Sequence, residues 1–385
     1  MEVANFTKDM WGRLVHCPTG YWAFVPRPLP PDLKASWDLA MANSHADRAL
    51  AELAGVARNL PNPHLLIGPF IRREAVLSSR IEGTQASLSD LFIFEAANSV
   101  NPATDASPGD VREVSNYVRA MEYGLQRLED FPLSLRLIRE LHSKLMEGVR
   151  GKDKTPGEFR CSQNWIGAPN CSLLEATFVP PPVDEMKESL DAFEKYLYST
   201  SIFPPLLRLA LIHYQFEAIH PFQDGNGRVG RLLIPLLLCY EKLLPQPLLY
   251  LSVFFEKNRN EYYDLLFAVS QRGKWIEWIN FFLAGVVEQS NDAVGRTKKL
   301  LELWKKYQTT CTAARSSALL LKLVECLFEF PVISIPRAQH LLGVTYRSAQ
   351  RLIDKMVKAE ILSEVPERKY NRLFVSRGIL EIIEA

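Results

Sequence analysis

The chain has 385 residues, long enough for two or three domains and for a sizeable core that needs neither disulfide nor metal to hold it. Lys and Arg number 45 against 44 Asp and Glu, and the resulting net charge of +1 excludes a polyelectrolyte that binds nucleic acid by bulk charge. With 47% apolar and 23% charged residues, the composition is that of an ordinary globular protein, neither disordered nor collagen-like.

Cys17, Cys161, Cys171, Cys239, Cys311 and Cys326 form no CxxC pair, and no His cluster stands at zinc-ligand spacing. Free thiols in a reducing compartment are therefore expected. The opening MEVANFTKDMWGR has no basic region followed by an apolar run, so no signal peptide is expected. The most apolar stretch, Leu232–Phe255, is interrupted by Pro235, Glu241, Lys242, Pro245 and Pro247 and is a poor membrane span. A cytoplasmic protein is the expectation.

Taken in chain order, the pattern is mainly helical. Pro26, Pro28, Pro30 and Pro31 precede a first long helix, and Pro61 and Pro63 follow it. Ile71, Ala75 and Ser78 share one helix face, with Gly83 suited to the C-terminus. The polar stretch 101–109 (NPATDASPG) reads as a linker. Val111, Val114, Val118, Met121 and Leu125 then make an apolar stripe at helical spacing. Ile138, Leu141 and Leu145 make another, capped by Ser134, and Met186, Leu190, Phe193 and Leu197 a third. Between them, the turn-rich runs around Pro156–Arg160, Gln163–Gly167 and Ala176–Pro182 suggest a β-hairpin among helices. The expected division is an N-terminal helical region (1–105), a central helical domain (106–290) and, beyond a charged helix around Lys298–Lys306, a small C-terminal domain (311–385).

The informative segment is His220–Arg231, HPFQDGNGRVGR. It contains Gly225-x-Gly227-x-x-Gly230, but a dinucleotide fingerprint needs a preceding strand and a βαβ unit. Leu206–Ile219 upstream is helical, and no βαβ pattern follows. Gly225, Asn226 and Gly227 form a loop that lets backbone approach a ligand closely, and it opens onto a helix over Arg228–Leu238. Its free N–H groups and the helix dipole make an anion site. Arg228 and Arg231 on that first turn oppose the dipole, which is reasonable if an anion binds there. Asp224 is a hard oxygen ligand suited to Mg²⁺ arriving on phosphates, and His220 suits a general base near neutral pH. The plainer alternative is a buried, hydrogen-bonded His beside a capped helix. His213, seven residues upstream, reads as a core histidine rather than a ligand.

The same twelve residues match the HPFx(D/E)GNGRxxR signature at every specified position, and the chain resembles the Fic family. That resemblance implies a helical core that transfers AMP from ATP to a Ser, Thr or Tyr hydroxyl of a protein, the enzyme itself included. It implies that His220 is the base and Asp224 holds Mg²⁺. Gly225, Asn226 and Gly227 would cradle the α- and β-phosphates, Arg228 would touch phosphate, and Arg231 would reach the γ-phosphate. The stretch Thr177, Phe178, Val179 resembles the family's flap, where a target segment pairs by strand addition. Ser78-Ser79-Arg80-Ile81-Glu82-Gly83 fits the (S/T)xxxE(G/N) pattern of the Fic inhibitory helix through Ser78, Glu82 and Gly83. The Glu82 carboxylate would then pair with Arg231 in place of the γ-phosphate.

Residues 317–328, 335–342 and 345–359 read as helices, with Thr345 an N-cap, and two short strands follow around 361–365 and 372–375. This order resembles a winged helix-turn-helix. Nine Lys/Arg against four Asp/Glu lie between Pro331 and Arg377. Arg347, Gln350, Arg351 and Lys355 would share a helix side, and Arg368, Lys369 and Arg372 a basic wing, so DNA is a candidate partner. Two other readings stay open: a DNA-binding regulator with a nucleotide-sensing core, and a Fic enzyme that removes AMP or uses another donor. A homodimer is left open.

Overall fold

The structure, a computed structural model, describes residues 1–34, 36–58, 64–98, 109–149, 154–168, 170–313, 318–365 and 372–385. Pro61, Pro63, most of the expected 101–109 linker, Ser317, Arg368 and Lys369 lie outside the described residues.

After a short 3₁₀ turn at Val3–Asn5, the chain forms an antiparallel hairpin, β1 (Gly12–His16) and β2 (Trp22–Pro26), paired in register from Gly12↔Pro26 to His16↔Trp22. Helices follow: α1 (Trp37–Arg58), α2 (His64–Ile81), α3 (Leu88–Asn98), α4 (Gly109–Arg127), α5 (Leu135–Leu145), α6 (Val183–Tyr198), α7 (Pro205–Ile219), α8 (Asn226–Tyr240), α9 (Ser252–Lys257), α10 (Arg259–Arg272) and α11 (Trp275–Ala313). The last part comprises α12 (Ala318–Glu329), β3 (Val332–Ser334), α13 (Ile335–Leu342), α14 (Tyr346–Lys358), β4 (Ser363–Glu364), β5 (Leu373–Val375) and α15 (Arg377–Glu384). Its strands form one antiparallel sheet in the order β3-β5-β4. The helices over 335–342 and 346–358 and the two later strands lie where the sequence places them, and β3 is an additional strand.

The helices follow from their stripes. Val111, Val114, Val118 and Met121 of α4, and Ile138, Leu141 and Leu145 of α5, are all buried. The Ser134 hydroxyl accepts from the Leu137 amide at the start of α5 (3.3 Å), which supplies one missing N-terminal partner. Thr345 does the same for Ser348 at the start of α14, whose Ala349, Leu352, Ile353 and Met356 face inward. One continuous core runs from Leu39 in α1 to Ile383 in α15. Helix α7 lies at its centre and is buried almost all round, as expected of a helix without a polar face.

Three arrangements depart from the sequence reading. The N-terminal region opens with a hairpin rather than a helix, and Cys17-Pro18-Thr19-Gly20 makes its turn, with Gly20 at φ +89°. Helix α11 runs unbroken from Trp275 to Ala313, across position 290, and packs along α1. The flap stretch closes through a single antiparallel bridge, Ile166↔Phe178, with a short 3₁₀ turn at Leu173–Glu175, instead of paired strands.

Candidate active site

Helix α7 delivers His220 as its C-terminal cap. The residue adopts the left-handed conformation, φ 50°, ψ 61°, which is strained for anything but glycine. That turn breaks the helix and throws the chain into Pro221–Asp224, from which α8 starts. Gly225, at φ 77°, caps α8. The Asn226 side chain closes the loop on itself: its Oδ1 accepts from the Phe222 amide, and its Nδ2 donates to the Phe222 carbonyl, both at 2.8 Å. Asn226 therefore shapes the cradle with its side chain and offers a ligand only its backbone.

A cavity of about 540 Å³ lies over this loop. His220, Asp224, Gly225, Asn226, Gly227, Arg231 and Glu82 all line it, as do Thr177 and Phe178. These nine residues meet in one place from segments of which the first and last are more than a hundred residues apart, while Ser78, Gly83, Val179 and Arg228 are not part of its lining. The far wall adds Tyr262, Tyr263 and Arg259 of α10, which no sequence pattern pointed to.

Protonation at His220 is set by its surroundings. Its Nδ1 faces the Glu217 carbonyl at 3.3 Å, so Nδ1 carries the proton and Nε2 keeps a free lone pair. Burial holds its pKa down to about 4, and Arg160 adds to this, so the imidazole is neutral at pH 7. Asp224 is half-exposed at the cavity mouth. Its Oδ1 accepts from the Gly225 amide (2.7 Å), and its Oδ2 lies 3.9 Å from Lys154 Nζ.

Glu82 follows the last turn of α2, where Gly83 at φ +96° ends the helix. Its Oε1 lies 2.6 Å from Arg231 Nη2. Ser78, one turn earlier, accepts from Arg231 Nε through its hydroxyl and from Nη2 through its carbonyl, both at 2.9 Å. The Arg231 side chain is 1% exposed and Glu82's is 36% exposed. Burial alone would raise the Glu82 carboxyl, but Arg231 beside it outweighs this and holds the group below its usual range. Gly227 makes the approach possible, because a Cβ there would collide with Glu82 Oε1 and come within 2.8 Å of Arg231 Nη1.

Two expectations are corrected. Arg228 does not line the cavity. It is buried against Glu113 Oε2 at 3.1 Å on α4 and against Met146 Sδ, because its place on the first turn of α8 faces α4 and α5. Val179 is not a free flap edge either, since its carbonyl accepts from the Phe24 amide of β2 at 2.9 Å. Thr177 remains exposed, while Phe178 is buried against Phe24 and Phe267.

Other supports were not assigned from the sequence. His142 of α5 stacks on Phe222 (3.8 Å between centroids, 8°). Its Nδ1 accepts from the Gly157 amide at 2.9 Å, so Nε2–H donates to the Asp224 carbonyl at 3.0 Å. His213, as expected, is a core residue: Nδ1–H donates to the Gly230 carbonyl and Nε2 accepts from Tyr262. Glu217 lines the cavity, and burial pushes its carboxyl up to about 7. Glu74, wholly inside α2, accepts from Tyr117 and Ser252 and pins the helix that carries Glu82.

Fold and site together define a helical protein with a glycine-rich loop at a helix N-terminus beside a neutral histidine. Residues 40–126 match the family model described as Fic/DOC family N-terminal, and residues 132–238 the one described as Fic/DOC family. The chain carries the Fic/DOC family's domains. It is 28% identical over 215 residues to Protein adenylyltransferase Fic of Aedes aegypti, covering 55% of this chain and 39% of that protein. To the protein of the same name from Drosophila yakuba it is 31% identical over 150 residues, covering 38% and 27%. The chain thus spans about two-fifths or less of the length of these curated relatives. Among solved structures it resembles a Fic family protein from Desulfovibrio desulfuricans G20, with TM-score 0.57, 19% identity, and 90% of this chain and 98% of that one covered. It also resembles Fic-1 from C. elegans, with TM-score 0.52, 22% identity, and coverage of 67% and 73%. At those identities the likeness is one of fold. Among the described residues, no helix is long and apolar enough to cross a membrane.

Proposed function

We propose that the protein is an ATP-dependent adenylyltransferase that moves AMP onto a Ser, Thr or Tyr hydroxyl of a protein and restrains itself through Glu82. The observation that carries this reading is the Glu82 carboxylate seated on Arg231 at the mouth of the α8 anion site, beside a neutral His220. A carboxylate in that position occupies the place of a terminal phosphate. The relatives named protein adenylyltransferase Fic support the choice of AMP as the transferred group.

In the proposed reaction the target hydroxyl gives its proton to His220 Nε2 and its oxygen attacks the α-phosphorus. The bond from that phosphorus to the bridging oxygen breaks, and pyrophosphate leaves. The backbone N–H groups of Asn226 and Gly227, at the start of α8, face the phosphate oxygens as charge moves onto them. Among the described residues no group of three or more His, Cys, Asp or Glu could hold a metal by itself. Asp224, with an oxygen at the cavity mouth, fits Mg²⁺ brought in by the nucleotide, which usually takes one or two carboxylates plus phosphate oxygens. The ion would neutralise phosphate charge.

ATP labelled at the α-phosphorus and ATP labelled at the γ-phosphorus separate this from phosphoryl transfer. The reading predicts protein-bound label from the first and none from the second, and label from the γ-phosphorus alone would overturn it.

A second reading has its own support. Arg347, Arg351 and Lys355 of α14 are exposed and form no ion pair among the described residues, which suits a DNA duplex. Against it, Arg372 is already held by Glu364 through two contacts, so that part of the expected basic wing is neutralised. Salt-steep binding of a duplex would support the regulator reading.

A further inference from the structure

Arg160 is a cation in the wrong place for an ordinary ion pair. It is 2% exposed, and among the described residues it pairs with no carboxylate. Burial lowers its pKa to about 10, which still leaves it charged at neutral pH. A buried charge persists only where its donors are satisfied. Here backbone carbonyls satisfy them: Nε donates to the His220 carbonyl at 3.0 Å, Nη1 to Ser162 at 3.3 Å, and Nη2 to Pro181. The Arg160 amide donates to the Pro221 carbonyl at 2.9 Å. Asn164, four residues on, sends its Nδ2 to the same His220 carbonyl at 3.2 Å and to Phe222 at 2.8 Å.

These bonds converge on a strained residue. His220 holds a left-handed backbone, which costs energy in a residue with a Cβ, and its carbonyl accepts from both Arg160 and Asn164. The other end of the guanidinium holds Pro181, just past the Thr177–Val179 stretch. None of Arg160's bonds reaches residues 225–231 or Glu82.

We propose that Arg160 is a positioning residue that locks His220 in its left-handed conformation and fastens it to the 176–182 segment, so that base and target-presenting edge stay in fixed relation. The proposal rests on the reading of His220 as the base. Its consequence is a split effect: nucleotide affinity is spared while turnover is lost, since misplacement of a reacting group by about 1 Å costs about 100-fold. A merely structural arginine would damage both.

The test uses Glu82→Gly protein, unrestrained, alone and with Arg160→Gln or Arg160→Lys. Hydrogen exchange is followed by mass spectrometry, affinity with a non-hydrolysable ATP analogue, and turnover as pyrophosphate release from Mg²⁺-ATP. For Arg160→Gln, amides in 160–182 and 219–223 should exchange at least about tenfold faster, with α8 unchanged. Affinity should stay within about threefold and turnover should fall about 100-fold. Arg160→Lys keeps the charge but not the planar fork, so its turnover falls between the two. If Arg160→Gln does not fold, Arg160→Lys carries every arm. Unchanged exchange, or affinity and turnover falling in the same proportion, would overturn the proposal. Glu82→Gly protein without transfer would overturn the adenylyltransferase reading instead, and the exchange arm would still decide whether Arg160 holds the loop.

Discussion

Replacing Glu82 with Gln keeps its volume and a hydrogen-bonding oxygen but removes the charge. The contact at stake is one charge-assisted bond of 2.6 Å to a guanidinium that is 1% exposed. Bonds of that kind are worth about 1.5–3 kcal/mol, and neutral partners roughly half. The Glu82 side chain is 36% exposed, so solvent screens part of the difference. Losing half of such a bond, less that screening, leaves about 0.7 kcal/mol, roughly a threefold change in competition for Arg231. Ser78 stays in place and keeps Arg231 aimed at the cavity. Isothermal titration with Mg²⁺ and a non-hydrolysable ATP analogue, against ADP as the ligand lacking a γ-phosphate, reads the effect. The ratio of ATP-analogue to ADP affinity should rise about threefold in Glu82→Gln and further, to about tenfold, in Glu82→Gly. An unchanged ratio in both variants would show that Glu82 does not compete for the γ-phosphate position.

Three other outcomes follow from the site. Pyrophosphate release by Glu82→Gly protein should hold from pH 8 to about 5.5 and fall only as pH drops through about 4, where buried His220 takes its proton; a midpoint near 6.5 would mean an exposed imidazole. His142 and His213 have folded pKa values of about 4 and about 3, both depressed chiefly by burial. The unfolded chain therefore binds more protons below about 6.5, and stability must fall on acidification, by about 2 kcal/mol per histidine at pH 5. Denaturant titrations at pH 7 and pH 5 that agree would contradict this. Asp224→Asn should raise the Mg²⁺ concentration needed for half-maximal turnover at least about tenfold while leaving the melting temperature within a few degrees, because Asp224 is half-exposed; unchanged Mg²⁺ dependence would remove Asp224 from that role.

Much of this site was legible because its chemistry is local. His220 to Arg231 is one loop and one helix turn, and Ser78 to Gly83 is the end of one helix. The motif could not say where each arginine points. Arg228 and Arg231 differ by three positions, yet one faces Glu113 on α4 and the other the cavity, a difference fixed by packing between helices far apart in sequence. Arg160 and His142 act through backbone carbonyls, which carry no side-chain signature. The opening hairpin was within reach: the turn-bearing run Cys17-Pro18-Thr19-Gly20-Tyr21 separates GRLVH from an aromatic, β-branched run, WAFV. Its role in covering Val179 was not, since that contact joins residues 24 and 179. The long helix α11 hid a boundary because its charged stretch resembles a linker helix while its inner face packs on α1.

The central claim is tested most directly by intact mass after incubation with Mg²⁺-ATP, for wild type, Glu82→Gly and Glu82→Gly/His220→Ala, with a candidate protein target present. The account predicts an AMP-sized adduct, on enzyme or target, that is weak with wild type, strong with Glu82→Gly and absent from the double variant. An adduct equally strong with wild type and Glu82→Gly, or one that survives His220→Ala, would contradict it.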